Sequence, residues 1–232
     1  MVKDYYVLLA GGVGAAKFID GLRKVIDPKL LKIIINTGDD IELYGLKICP
    51  DIDIITYTLA DIVNKEKGWG FIDETFNSLR FLKRYYDYNW FKAGDKDLAT
   101  HIYRTHLFSK GFTKSQITSI ICEKLGVKSH LIPMCNEEVQ TIIKTPLKSM
   151  HFEEYYIKYQ CEPEVIGIQF EGIEQARPIK GVLEYINKCR KIIICPSNPI
   201  VSIGTILSVA GIRAALKKVR EKVYSISPII QG

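Results

Sequence analysis

Apolar residues run without a break from Tyr6 to Ala10, give way to the turn "GGVG", and return at helical spacing through "AAKFIDGLRKVI". A short apolar run bounded by glycine reads as a buried strand, and apolar positions three and four apart read as a helix with one face inward. "LKIIIN", Leu31 to Asn36, follows as a second buried strand and sets the βαβ rhythm of a parallel sheet. From Asp53 to about Leu125 helical spacing dominates, in "DIITYTLADIVNK", "DETFNSLRFLKRYY", "DKDLATHIYRTHLFSK" and "TKSQITSIICEKLG". Thr113 and Gln116 make a capping box at the head of the last stretch, and Gly126 stops it. That is more helix than one crossover needs, so residues from about 53 to 125 are expected as a helical excursion over the strand ends.

β-rich stretches then return in "SHLIPM", "VQTIIKT", "MHFEEYYIKYQ" and "EVIGIQFEG", where the sheet is expected to resume. Helix "PIKGVLEYINKCR", strand "KIIICPSNP", one helix around "TILSVAGIRAALKKV" and a final strand "VYSISPII" complete the pattern. The last strand is expected to be central, with something downstream of it absent. The predicted fold class is α/β: a Rossmann-like, mostly parallel sheet with helices on both faces, as a single domain over residues 1–232.

Composition narrows the function classes. The net charge is +6, but Lys and Arg are spread along the chain, which points to anionic small molecules and away from nucleic acid. Six cysteines stand without a CxxC pair, several inside apolar runs, the pattern of reduced buried thiols with neither a disulfide frame nor a zinc site. The apolar run near the N-terminus is far below the roughly 20 residues of a membrane span, so the expected location is the cytoplasm, with no membrane partner.

Against the positive balance, "NTGDDIELYGLKICPDID" gathers Asp39, Asp40, Glu42, Asp51 and Asp53 around a single lysine. The stretch reads as a loop beginning where the second strand ends, beside the glycine turn of the first, where open α/β sheets put their ligands. Gly11, Gly12 and Gly14 offer backbone N–H groups and a helix N-terminus to a phosphate. A Walker Gly-Lys-Ser/Thr is missing, and Lys17 stands where a dinucleotide fingerprint wants a small residue. Acids crowded beside an anion site repel one another and the anion unless a cation lies between them, and magnesium is the oxygen-seeking ion that bridges carboxylates and a diphosphate. "FKAGDKDLATH" adds Lys92, Asp95, Asp97 and His101 at the head of a helix, where either aspartate would also serve as a simple cap. "CPSNPIVSIG" adds Ser197, Asn198 and Ser202 in a rigid polar loop at a strand end.

With "LLAGGVGAAKFIDGL", "NTGDDIELYGLKICPDIDIITYTLAD", "GWGFIDETFNSL", "KAGDKDLATHIYRT", "LIPMCNEEVQT", "CPSNPIVSIGTIL" and "SISPII" in this order, the sequence resembles the 2-phospho-L-lactate transferase family. The resemblance covers essentially the whole chain. Two departures are visible: Val13 replaces the family's usual threonine, and members continue well past the equivalent of "SPII", so the expectation is that the family's C-terminal segment is absent from these 232 residues. The resemblance implies transfer of a 2-phospholactyl group from lactyl-2-diphospho-5'-guanosine to the ribityl hydroxyl of 7,8-didemethyl-8-hydroxy-5-deazariboflavin, with release of GMP, in coenzyme F(420) biosynthesis. It implies magnesium (Mg2+), no redox cofactor and a homodimer. Asp53 and Lys92 match the family's deazaflavin contacts.

The site assignment is then Gly11, Gly12 and Gly14 on the diphosphate and Asp39, Asp40 or Asp53 on magnesium. Asp53 also orients or deprotonates the attacking hydroxyl, Lys92 offsets transition-state charge, and Asn198 contacts the guanosine nucleotide. Asp53 is expected on an exposed loop, so that its removal abolishes transfer and leaves the melting temperature nearly unchanged. Lactyl and enolpyruvyl donors differ by two hydrogens, and no motif separates them. Two rival readings start from the same βα unit. One is a non-catalytic nucleotide-sugar-binding regulator of the gluconeogenesis factor type, and the other an NAD-linked dehydrogenase. The "PDID" and "KAGDKD" stretches favour the transferase.

Overall fold

The computed structural model describes residues 4–87 and 90–228. β1 (Tyr6–Ala10) leads into α1 (Gly12–Leu22), which begins inside the glycine turn with Gly11 as its N-cap. β2 (Leu31–Ile35) follows, then the hairpin of β3 (Ile41–Leu43) and β4 (Leu46–Ile48), turned by Tyr44 and Gly45 at positive φ. The excursion consists of α2 (Pro50–Leu59), α3 (Asn77–Leu82), α4 (Asp95–Ser109) and α5 (Lys114–Lys124). The Thr113–Gln116 capping box forms as expected. β5 (His130–Pro133), β6 (Gln140–Lys144), β7 (Ser149–His151) and β8 (Gly167–Glu171) come next. The chain then runs through α6 (Val182–Lys188), β9 (Lys191–Ile194), α7 (Ile203–Ser208), α8 (Ile212–Lys218) and β10 (Val223–Ser225).

Five strands form one parallel sheet in the order β10-β9-β1-β2-β5. β1 has β2 on one side and β9 on the other, so the strand order reverses at β1, and the loops after β1, β2 and β9 open into one crevice. Alternation along the strands splits the core: Val7, Leu9 and Ile34 join one apolar cluster, while Leu8, Ala10, Ile33 and Ile35 join another. Both faces are therefore buried under helices, the Rossmann-like α/β arrangement that uninterrupted apolar strands require. Among the described residues no helix is long and apolar enough to cross a membrane.

Four expectations need correction. β6, β7 and β8 do not rejoin the main sheet but pair as a separate antiparallel one. "MHFEEYYIKYQ" is strand only up to His151, after which Glu154–Lys158 forms a π-helical turn anchored by the buried Tyr155, whose hydroxyl donates to the carbonyls of Cys161 and Pro163. The single helix around "TILSVAGIRAALKKV" is two, because Gly211 sits at φ 84 between α7 and α8. β10 lies at an edge of the sheet, not at its centre; Ile229 and Ile230 of the predicted last strand lie outside the described residues.

Candidate active site

The glycine turn is compressed against two other loops, and each glycine has its own reason. A Cβ on Gly11 would stand 2.7 Å from Asp51 Oδ2 and 2.8 Å from Ser202 Cβ; one on Gly14 would strike the Pro196 carbonyl; Gly12 holds φ 73. Gly11 N–H donates to Ser197 Oγ at 3.0 Å and Gly12 N–H to Asp51 Oδ1 at 2.7 Å. Two of the amides expected to face a phosphate are thus engaged by side chains, and Val13 and Gly14 carry the remaining first-turn N–H groups of α1.

The acidic stretch is not one loop. Its middle is the β3–β4 hairpin, and Pro50 starts α2 one residue before Asp51, so Asp51 and Asp53 lie in a helical first turn where the dipole favours them. The acids separate into two kinds. Asp40 pairs with Lys114 at 2.6 Å, and Asp53 holds Arg104 through both oxygens, one of them at 3.0 Å from Nη1. Asp53 is 5 % exposed and Arg104 2 %, which overturns the expectation of an exposed loop acid. Asp39 and Asp51 have no such cation among the described residues. Asn36 Nδ2 donates to both, at 2.9 Å each, and holds them side by side at the end of β2.

Burial and mutual repulsion show in their proton affinities. Burial, then the charges of Asp51 and Glu153, holds Asp39 well above the usual carboxylate range. Burial pushes Asp51 up to about 6 against the hydrogen bonds from Asn36 and Gly12, and burial with the Asp51 and Asp40 charges pushes Glu153 up to about 8.

A second network lies on α2 and α4. Arg104 Nη1, bound to Asp53, also stands 3.2 Å from His101 Nδ1, so that nitrogen accepts and the ring proton sits on Nε2. Burial and the Arg104 charge push His101 down to about 3, so it is neutral. Tyr57 donates its hydroxyl to Asp97 Oδ1 at 2.9 Å, and burial with the Asp53 charge pushes Asp97 up to about 7.

Both networks face one cleft of about 960 Å³. Gly11, Gly12, Gly14, Asp39, Asp53, Lys92 and Asn198 all line it; Asp40, turned to Lys114, does not. Asn198 Oδ1 is occupied by the N–H groups of Ile200 and Val201, which leaves its amide nitrogen for a ligand. The lining is also aromatic, through Trp69, Trp90, Phe91, Phe152 and Tyr156, with Phe152 and Tyr156 stacked at 5.6 Å. The sequence counts Asp51 in the acidic stretch without a role, and Glu153 and Arg104 were not singled out from it. Pro50 as a helix start signals Asp51, whereas Glu153 and Arg104 carry no local signal.

The chain matches the profile described as 2-phospho-L-lactate transferase CofD over residues 6–232. It is 43% identical over 229 residues to "Phosphoenolpyruvate transferase" of Streptomyces coelicolor, covering 97% of this chain and 72% of that protein. The protein of the same name from Nocardia farcinica is 37% identical over 234 residues, covering 97% and 70%. The crystal structure of a UPF0052 family protein from Bacillus halodurans superposes with a TM-score of 0.63 at 16% identity, covering 94% of this chain and 66% of that one, a likeness of fold. A glycine turn, unneutralised acids and a lysine on one cleft accord with a family match of this extent, and the chain belongs to the 2-phospho-L-lactate transferase (CofD) family of phosphotransferases.

Proposed function

We propose that this protein transfers a three-carbon phosphate ester from a guanosine diphosphate-activated donor to the ribityl hydroxyl of 7,8-didemethyl-8-hydroxy-5-deazariboflavin, releasing GMP, as a step of coenzyme F(420) biosynthesis. The observation that carries the reading is the pairing in one cleft of Asp39 and Asp51, buried without a cation among the described residues, with the first turn of α1 and a set of aromatic side chains. The name of the relatives at 37–43% identity favours an enolpyruvyl donor, and the family profile's name a lactyl one.

Magnesium fits this donor set. Among the described residues no three His, Cys, Asp or Glu side chains form a closed metal cage, and magnesium does not need one: it is commonly held by one or two carboxylates and the substrate's own phosphates. Asp39 and Asp51 would hold it, while Asp40 and Asp53, named for that role from the sequence, are neutralised by Lys114 and Arg104. When bound, the ion offsets charge on the diphosphate oxygens. The chain's own groups do the rest: Val13 and Gly14 N–H receive a phosphate oxygen, and Asn198 reaches the nucleotide. The aromatic side chains of the lining receive the flat ring, while Asp53 and Lys92 position the acceptor. Group transfer of this kind depends mainly on position and charge.

The test is incubation with the deazaflavin acceptor, magnesium and each donor in turn, with GMP and the phosphorylated deazaflavin followed by chromatography and mass. GMP with one or both donors is expected; no GMP with either refutes the reading.

A further inference from the structure

Asp53, the acid the sequence put forward as the base, has both oxygens on Arg104, so a proton placed there would strip a buried guanidinium of its counter-charge. Glu74 is equally committed, accepting the N–H groups of Thr75, Lys96 and Asp97 at the head of α4. Asp97 differs. It lines the cleft, Tyr57 fixes its Oδ1, and among the described residues its Oδ2 accepts no hydrogen bond.

Beside it stands an unmet donor. His101 is 1 % exposed, its Nδ1 is taken by Arg104, and its Nε2 has no partner although it is buried against the same cleft. An unsatisfied buried N–H is costly unless a ligand completes it. His101 Nε2 and Asp97 Oδ1 are 3.9 Å apart, too far for a hydrogen bond between them and near enough for one oxygen atom to touch both side chains.

We propose that Asp97 is the general base of the transfer and that neutral His101, through Nε2–H, holds the attacking hydroxyl oxygen against it. The inference rests on the transfer reading above. The acceptor oxygen forms a bond to the phosphorus of the transferred group, the phosphorus–oxygen bond to GMP breaks with its electron pair going to GMP, and the hydroxyl proton goes to Asp97 Oδ2. The groups facing Asp97 are Tyr57 and Asp53 from α2, Glu74 from the preceding loop, and His101 and Arg104 from α4. Burial and the two acids raise it, Tyr57 and Arg104 lower it, and the balance near 7 suits a base working close to neutrality.

The test compares wild type, Asp97→Asn and Asp97→Glu for kcat and kcat/KM against pH, with calorimetry for acceptor binding. For Asp97→Asn, kcat is expected to fall about 10²–10³-fold and the acidic limb of the profile to vanish. Acceptor affinity should stay within about threefold, and Asp97→Glu should recover part of the rate and the limb. An Asp97→Asn enzyme with near-normal kcat and an intact acidic limb overturns the base alone, as does a rate loss matched by lost acceptor binding. A wild type that transfers from neither donor overturns the transfer reading and the base with it.

Discussion

Replacing Asp53 by alanine removes the counter-charge of Arg104, a guanidinium that is 2 % exposed and held by Asp53 through both carboxylate oxygens. Breaking one side of such a buried pair costs about 3–5 kcal/mol, because the remaining charge is left in a poorly solvating site. In a chain of this length each kcal/mol moves the melting temperature by about 2–4 °C, so Asp53→Ala should melt about 6–20 °C below wild type. By contrast, the pair of Arg190 and Asp4, 59% and 74% exposed, should yield a shift within the error of measurement when Asp4 is replaced. Thermal unfolding followed by circular dichroism at neutral pH, without ligands, reads both. The double variant Asp53→Ala/Arg104→Met serves as the control, since removing both charges should recover most of the loss. Asp53→Ala melting within about 2 °C of wild type, with the double variant no better, would refute the reasoning.

Above about pH 7.5 the histidines lowered by burial are neutral in the folded and unfolded chain alike, so the acids decide the slope. Glu153 and Asp97, raised to about 8 and about 7, keep protons in the fold that the unfolded chain has lost. Their contribution is complete below the unfolded carboxylate range and disappears as pH rises through those values, so the melting temperature should fall between about pH 7.5 and 8.5, and less with magnesium present. Calorimetry showing a flat or rising curve would contradict this. Gly14→Ala places a methyl against the Pro196 carbonyl and should lower both stability and donor affinity, read by melting and by calorimetry with GDP; unchanged values would mean the loops part easily. Lys92→Ala should raise KM for the deazaflavin acceptor more than KM for the donor, and the reverse ratio would move Lys92 to the diphosphate.

The central strands were readable because strands buried on both faces spell uninterrupted apolar runs, as "YVLLA" and "LKIII" do. α5 was readable because its capping box is local. The smaller sheet was not, since a period-two pattern in β6 and β8 is the same whichever sheet receives it. The burial of Asp53 and Arg104 was hidden for a different reason: the partners are 51 residues apart, and a charged residue reveals its depth only through its partner. Asp97 and His101 were noticed as residues, but their roles depend on which atoms are occupied, and spacing carries no information on that.

The cleft draws its lining from three parts of the chain, one of them the turn after β7 that carries Phe152, Glu153 and Tyr156. The glycine turn, Asp39 and Asn198 follow strands of the main sheet, whereas Asp53, Lys92, Asp97 and His101 belong to the stretch between β4 and α5. Asp51 reaches across from α2 to the Gly12 amide, and Arg23 of α1 reaches back to the carbonyls of Thr58 and Leu59 and to Asp61. Acceptor preference can therefore be rewritten by exchanging the helical stretch while the nucleotide-facing rim stays as it is, with Asp51 and the end of α2 that holds Arg23 as the pins a grafted segment has to keep.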